Sequence, residues 1–490
     1  MRAIHEALFR SQPEEHAFRI ERVSGRVPPD LRGTFLRSGP GLMQLGAANL
    51  NFFDGHALIA GVSFDAGRAW FRSRFVRSPL YEAETAQRTV LARRPFTNRP
   101  ERWKNLFAIK FGNSAMHDVY AWGKPGRERV IAGYDPGHFT LDAHSLATLG
   151  RETWGGAAAP GIEMSPMPYP DPHTGHLVGW LKVPGAMKPD TLRFVEVDDE
   201  FRLVKQTEAF PLAAAPVIVH DLRATQRYYL TVEQSLRLSP LRALWGAVTA
   251  YEALATPAGA TATLLLAART EPAKLLRVPL PAPVQIAFHV VNAFDRGDHV
   301  CVDLATYAGR IGFEAAAPKA LRDRTGAQPA HGPEPSLMRY VIDPNAGRVV
   351  ESRKLTDVPG DAPEVADSVM GRPYRFAYVP THGPNSDAPD RGAFVYYDAI
   401  AKVDVDSGSS QRWNAGPDAL VSPVAFVPRP SAAGEDDGWL LTYLVRESNA
   451  ALAILDARAL EAGPVATLEL GVHLPGVSHT RWAAGLQLSQ

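Results

Sequence analysis

The sequence predicts an all-β fold, a β-propeller of about six to eight blades, on three observations. Runs of strand length recur almost from end to end, and aspartate-led turns separate them at blade-like intervals. The 490 residues also include 40 glycines and 41 prolines, a turn-rich balance that favours short strands over long helices.

The strands are LVGWLKV (177–183), TLRFVEV (191–197), YYLTVEQ (228–234), VQIAFHVVNAF (284–294) and HVCVDLATY (299–307), followed by LMRYVID (337–343), YRFAYVP (374–380), GWLLTYLVR (438–446) and AALAILDA (450–457). Each is rich in β-branched or aromatic residues and bounded by Gly, Pro, Asp or Asn.

The turns set the period. LDAHSLATLG (141–150), IDPNAGRVV (342–350), VDVDSGSSQ (403–411) and LDARALEAG (455–463) each place an aspartate just before small or polar residues and the next strand. The short carboxylates of Asp142, Asp343, Asp404 and Asp456 are expected to accept from the backbone amides that follow. Intervals of 61 residues from 343 to 404 and 52 from 404 to 456 suit a four-stranded blade with variable loops. A multi-domain sandwich is the alternative, but no linker divides the chain. The densest Pro/Gly stretch, TGAQPAHGPEPS (325–336), reads as a long propeller loop.

One segment breaks the β pattern. In SPLRALWGAVTAYEAL (239–254), Ser239 is placed to cap a helix and Pro240 to start it. Leu241, Leu244, Trp245, Val248 and Tyr251 then recur at helical spacing. A helix packed on the propeller rim is expected. With only Arg242 and Glu252 charged, it also suits an apolar entrance that touches membrane or a lipophilic substrate.

Composition excludes several functions. Lys+Arg and Asp+Glu both number 52, so no net positive field draws in nucleic acid. The N-terminal stretch MRAIHEALFRSQPEEHAFRI lacks a signal-peptide core, and no window approaches about 18 uncharged apolar residues; a cytoplasmic protein is expected. The single cysteine, Cys301, lies mid-strand and reads as buried filler, so no intrachain disulfide is possible. GxxxxGK(S/T), strand-linked GxGxxG and GxSxG patterns are absent, which removes support for a nucleotide site or a nucleophile elbow.

Three histidines keep unusual company: His220 in PVIVHDLRAT, His289 in QIAFHVVNAF and His479 in LPGVSHTRW. A histidine in an apolar strand ordinarily serves the core, yet neutral imidazole on a rigid strand is also what a buried first-row metal requires. The separations of 69 and 190 residues match no local metal motif, so spacing leaves both readings open. In EMSPMPYPDPHTGHL (163–177), Asp171-Pro172-His173-Thr174-Gly175 has the order of a type I turn. That puts His173 on an exposed turn and His176 at the start of a strand, both away from any metal.

The motifs around these residues resemble those of the carotenoid cleavage oxygenase family, from about residue 25 to the C-terminus. RGTFLRSGPG (32–41), NFFDGHALIAGVSF (51–64) and RFVRS (74–78) are similar to its opening motifs. VIVHDLRATQRYYL, FHVVNAFDRGDHVCVD and LPGVSHTRW are similar to the segments around its second, third and fourth metal ligands. GRPYRFAY (371–378) and EDDGWLL (435–441) match late blades. The resemblance implies a single domain over residues 1–490, a seven-bladed propeller with a helical and loop cap over one face, and Fe(II) held by four axial histidines. His220, His289 and His479 would be ligands and catalytic residues.

The pattern also departs from the family. Aligned on DPHTG, the first-ligand position holds Met167, whose thioether is a weak donor for Fe(II); a set of three histidines and a methionine would suit copper better. The three glutamates that orient the family's imidazoles align with Tyr134, Asp361 and Pro423 (or Ser422), so only Asp361 keeps a carboxylate.

The function implied is O2-dependent cleavage of a conjugated C=C bond into two carbonyl products. The substrate would be an apocarotenoid, another terpenoid polyene or a stilbene-like phenylpropanoid. The lysine with which stilbene-cleaving members grip a phenol falls near Gly133, which disfavours phenols. The expected partners are this lipophilic small molecule and O2, with peripheral membrane contact and no protein partner. The alternative is a propeller whose degraded metal site leaves it binding a lipophilic ligand, or running isomerisation or oxygenation with little metal.

Overall fold

The computed structural model describes residues 3–108, 111–134, 137–185, 188–214, 217–313, 316–325, 332–384, 386–388 and 394–489. Seven sheets of three to six antiparallel strands form the blades of a propeller. All nine runs that the sequence marks as strands are strands, among them Leu177–Val183, His299–Tyr307 and Ala450–Asp456. Those nearest the axis are apolar on both faces because blades pack against them from either side; Ile286 to Phe294 are all buried.

The chain ends lock the ring. His479–Ala484 pairs with Gly33–Ser38 and becomes the innermost strand of the blade built on His56–Asp65 and Arg68–Phe75. Val23–Gly25 pairs with Pro464–Glu469 at the outer edge of the preceding blade. Two blades are thus completed by segments from opposite ends of the chain, which makes opening the ring cost two strand pairings at once.

The turn aspartates act as expected. Asp142 Oδ1 accepts from the amide of Ser145 at 2.7 Å, Asp343 from Asn345 at 2.8 Å, Asp404 from Asp406 at 3.0 Å and Asp456 from Arg458 at 3.0 Å. Asp198 uses the same device, accepting from Glu200 at 2.9 Å. The turn at Asp171 also forms, with Gly175 N donating to Asp171 O at 2.8 Å and Gly175 at φ +71°. His173 is half-buried rather than exposed, because its Nε2 reaches the Gly371 carbonyl at 3.1 Å. Of the loop over 325–336, residues 326–331 lie outside the described residues.

The helix expected over 239–254 is much shorter. Ser239 and Pro240 start it as predicted, but it spans only Pro240–Leu244. Gly246 stops it at φ +64°, a left-handed conformation that glycine adopts freely. A Cβ there would also come within 2.7 Å of the Asn105 backbone. The remainder folds into turns and the strand Leu254–Ala255. No helix among the described residues is long and apolar enough to cross a membrane.

Candidate metal centre

Each blade presents the start of its innermost strand to the axis, and several of those starts carry histidine. His220 stands two residues before Leu222–Ala224, His289 lies in Ile286–Arg296, and His479 opens His479–Ala484. A fourth histidine, His117, precedes Asp118–Trp122. The rings form a closed set: centroids are 4.7 Å apart for His117–His220, 5.1 Å for His220–His289, 5.3 Å for His289–His479 and 4.7 Å for His479–His117. Ring nitrogens of His117, His220 and His479 all lie within 4.8 Å of one another.

Backbone pairing fixes these positions. His117 N donates to Gly133 O at 3.0 Å. Ser38, the register partner of His479, donates its hydroxyl to Met116 O at 2.8 Å and so ties His117 to the closing blade. Asp221 Oδ2 accepts from Val290 N at 2.8 Å, clamping the residue after His220 to the residue after His289. Bulges on both sides of His289 turn its side chain toward the axis.

The electrostatics suit a cation. Burial, reinforced by the neighbouring imidazoles, pushes His117 and His479 well below the ordinary histidine value and His220 down to about 3. Neutral imidazole is the form that binds metal. His289 differs: burial opposes its charge, but Asp361 outweighs burial and raises it. Asp361 Oδ1 is 2.7 Å from His289 Nδ1. The buried His220 Nδ1 and His479 Nε2 have no hydrogen-bond partner among the described residues. Buried polar atoms are otherwise almost always paired, so the convergence of these imidazoles on unpaired nitrogens of His220 and His479 fits a divalent first-row metal.

The structure therefore brings His220, His289 and His479 together, and it adds His117, which the sequence reading missed. The signal was present: His117-Asp118 before an inner strand repeats His220-Asp221 before another. Met167 is buried beside them, lining a cavity of about 20 Å3 with His289, His479 and Pro423. Asp361 stands against His289. Pro423 offers no carboxylate; its carbonyl instead accepts from the Thr480 hydroxyl at 3.0 Å and steadies the residue after His479. Tyr134 ends its strand opposite Gly137, and its side chain lies outside the described residues. His173 and His176 stand outside the cluster, His176 Nδ1 lying 2.7 Å from Glu196.

A row of buried and half-buried rings leads away from the cluster. Phe288 lies 5.5 Å from His220, Phe313 5.7 Å from Phe288, Phe53 4.9 Å from Phe313, Phe96 5.3 Å from Phe53 and Tyr251 4.6 Å from Phe96. At the surface, Trp103, Phe107, Leu241 and Trp245 are 71–76% exposed. Arg93 joins the two segments that carry them, donating to the carbonyls of Ala108 at 3.1 Å and Ala243 at 2.7 Å.

Residues 9–484 match the family described as retinal pigment epithelial membrane protein. The chain belongs to this family, the carotenoid cleavage oxygenases. It is 31% identical over 488 residues to the apocarotenoid-15,15'-oxygenase of Synechocystis, covering 97% of this chain and 95% of that one. It is 25% identical to the isoeugenol monooxygenase of Pseudomonas putida, covering 97% and 96%. A cobalt-substituted form of the Synechocystis oxygenase superposes with a TM-score of 0.87 at 29% identity and 98% coverage of both chains. This carotenoid cleavage oxygenase is accordingly an alkene-cleaving oxygenase of an iron-dependent family, on the seven-bladed fold that its motifs imply.

Proposed function

We propose that the protein is a non-haem iron dioxygenase that cleaves a conjugated C=C bond of an apocarotenoid or similar polyene. The closed ring of four imidazoles on the propeller axis carries this reading. Bound iron would supply activation of O2 for addition across the alkene. In the overall reaction the C=C bond breaks, each carbon takes one oxygen atom of O2, and two carbonyl products form without an external reductant.

The chain's own residues position the substrate. The rings of Phe288, Phe313, Phe53 and Phe96 offer π-faces and apolar edges along which a flat polyene can lie, and the burial of Phe288, Phe313 and Phe53 keeps water from the reacting bond. Asp361 fixes the His289 ring. Trp103, Phe107, Leu241 and Trp245 form an exposed apolar patch where a cytoplasmic enzyme would rest on a membrane and collect a lipophilic substrate.

An apolar polyene is favoured over a phenol by the surroundings of Gly133. A Cβ at Gly133 would meet the His138 ring at 2.6 Å, and His138 is buried and held near 3 by burial. The space where a phenol-gripping lysine would stand is filled by a neutral ring. The experiment is to incubate the iron-loaded protein with an apocarotenal and, separately, with isoeugenol. Two carbonyl fragments from the apocarotenal, with one O2 consumed per molecule, are expected; cleavage of isoeugenol alone would refute the substrate assignment.

A further inference from the structure

We infer that the fourth metal ligand of this protein is His117 and that Met167, which holds the first-ligand position in the family resemblance, is not a ligand. The inference rests on the reading that the axial site binds a first-row metal. Met167 follows the inner strand Glu163–Met164, whereas His117 precedes Asp118–Trp122 in the blade before it. The chain has therefore moved an imidazole by one blade around the same axis.

His117 belongs to the metal-sized set: one of its ring nitrogens lies within 4.8 Å of one ring nitrogen each of His220 and His479, and its ring centroid is 4.7 Å from both of theirs. Opposite nitrogen donors on a first-row ion stand about 4 Å apart, so closure on the metal needs movement of less than about 1 Å. The attachment is rigid, through His117 N to Gly133 O at 3.0 Å and Ser38 Oγ to Met116 O at 2.8 Å. Met167 contributes a soft thioether that ranks below imidazole for Fe(II), and in the cavity beside His289 and His479 it serves as an apolar wall. The result is an all-imidazole site with the number of ligands kept and the direction of one changed.

Cobalt(II) is the probe, added to metal-free protein and followed by its visible absorption and by competition with a chelator. Wild type and Met167→Leu are expected to bind one equivalent with the same spectrum. His117→Ala should bind more than about 100-fold more weakly, beyond the 10–100-fold typical of losing an outer partner, and with a changed spectrum. Imidazole added to His117→Ala should restore the wild-type spectrum, which a purely structural role for His117 would not allow. If His117→Ala keeps the wild-type affinity and spectrum while Met167→Leu loses them, the assignment is overturned and the iron reading survives. If wild type binds no cobalt or iron, both fall.

Discussion

Asp361 Oδ1 lies 2.7 Å from His289 Nδ1, and Tyr307 donates its hydroxyl to the other oxygen, Oδ2, at 2.6 Å. Both carboxylate oxygens are thus engaged, and the backbone amide of Ala362 also reaches Oδ1 at 2.8 Å. A carboxylate this firmly held fixes the plane of the imidazole and increases its electron donation. The shorter stem of aspartate is accommodated because Tyr307, on the strand paired with that of His289, closes the gap from behind. Asp361→Asn keeps the shape but removes the charge, and is expected to weaken metal binding by about 10–100-fold. Tyr307→Phe should cause a smaller loss of the same kind. Chelator competition on the folded proteins reads both.

On the far side of the histidines, Arg481 Nη2 is 3.3 Å from the fully buried Asp118 carboxylate. These residues follow His479 and His117, so the pair braces two blades where the ring closes. Removing one member of a buried pair leaves the other charge uncompensated, which typically costs about 3–5 kcal/mol. Arg481→Met should lower the urea midpoint accordingly. Adding Asp118→Asn should recover part of the loss, since the stranded charge is then gone. Losses that simply add would show that the two residues do not interact.

The strands and turns were legible in the sequence because both are local. Alternating apolar residues mark the strands, and Asp142, Asp343, Asp404 and Asp456 bond amides two or three residues away. The closure through Val23–Gly25 and His479–Ala484 has no local signature, because its partners come from opposite ends of the chain. The metal site divides in the same way. His220, His289 and His479 stand in recognisable motifs, while His117 carries only the weaker signal of a His-Asp pair shared with His220. The helix over 239–254 was overextended because the apolar period continues past Gly246, whose backbone turns left-handed against Asn105.

Phe107 N donates to Leu244 O at 2.9 Å, so the two exposed apolar segments form one platform. Phe107→Glu and Trp245→Glu place charge on residues that are 76% and 71% exposed, so folding should be little affected. Both are expected to lower sedimentation with phospholipid vesicles. They should also raise the KM for a polyene presented in vesicles, with kcat in detergent unchanged. Equal vesicle binding by wild type and variants would remove the membrane role of this patch.

Asp54 supplies a test of pH dependence away from the metal site. It is buried near Arg94 and Glu84, accepts from Phe96 N at 3.0 Å, and burial pushes its carboxyl up to about 7 despite Arg94. Its folded pKa thus exceeds the unfolded value of 3.8, so the folded state binds the extra proton between those limits. The contribution of Asp54 is fully present below about pH 4 and is lost as pH rises through about 7, a span worth on the order of 4 kcal/mol. Glu84 behaves oppositely: burial is outweighed by His56 at 2.8 Å and Arg94 at 2.6 Å, and its pKa falls to about 2. Its contribution is therefore present above about pH 4.5 and lost as pH falls from there to about 2, below the pH 5 to 8 range that reads Asp54. His56 is pushed down by burial and loses stability as pH falls below about 6.5, so wild type alone would mix the two signs. The difference between Asp54→Asn and wild type isolates Asp54. Measured by urea unfolding, the variant should gain relative stability between pH 5 and pH 8; a difference that stays constant would show that Asp54 is ionised across the whole range.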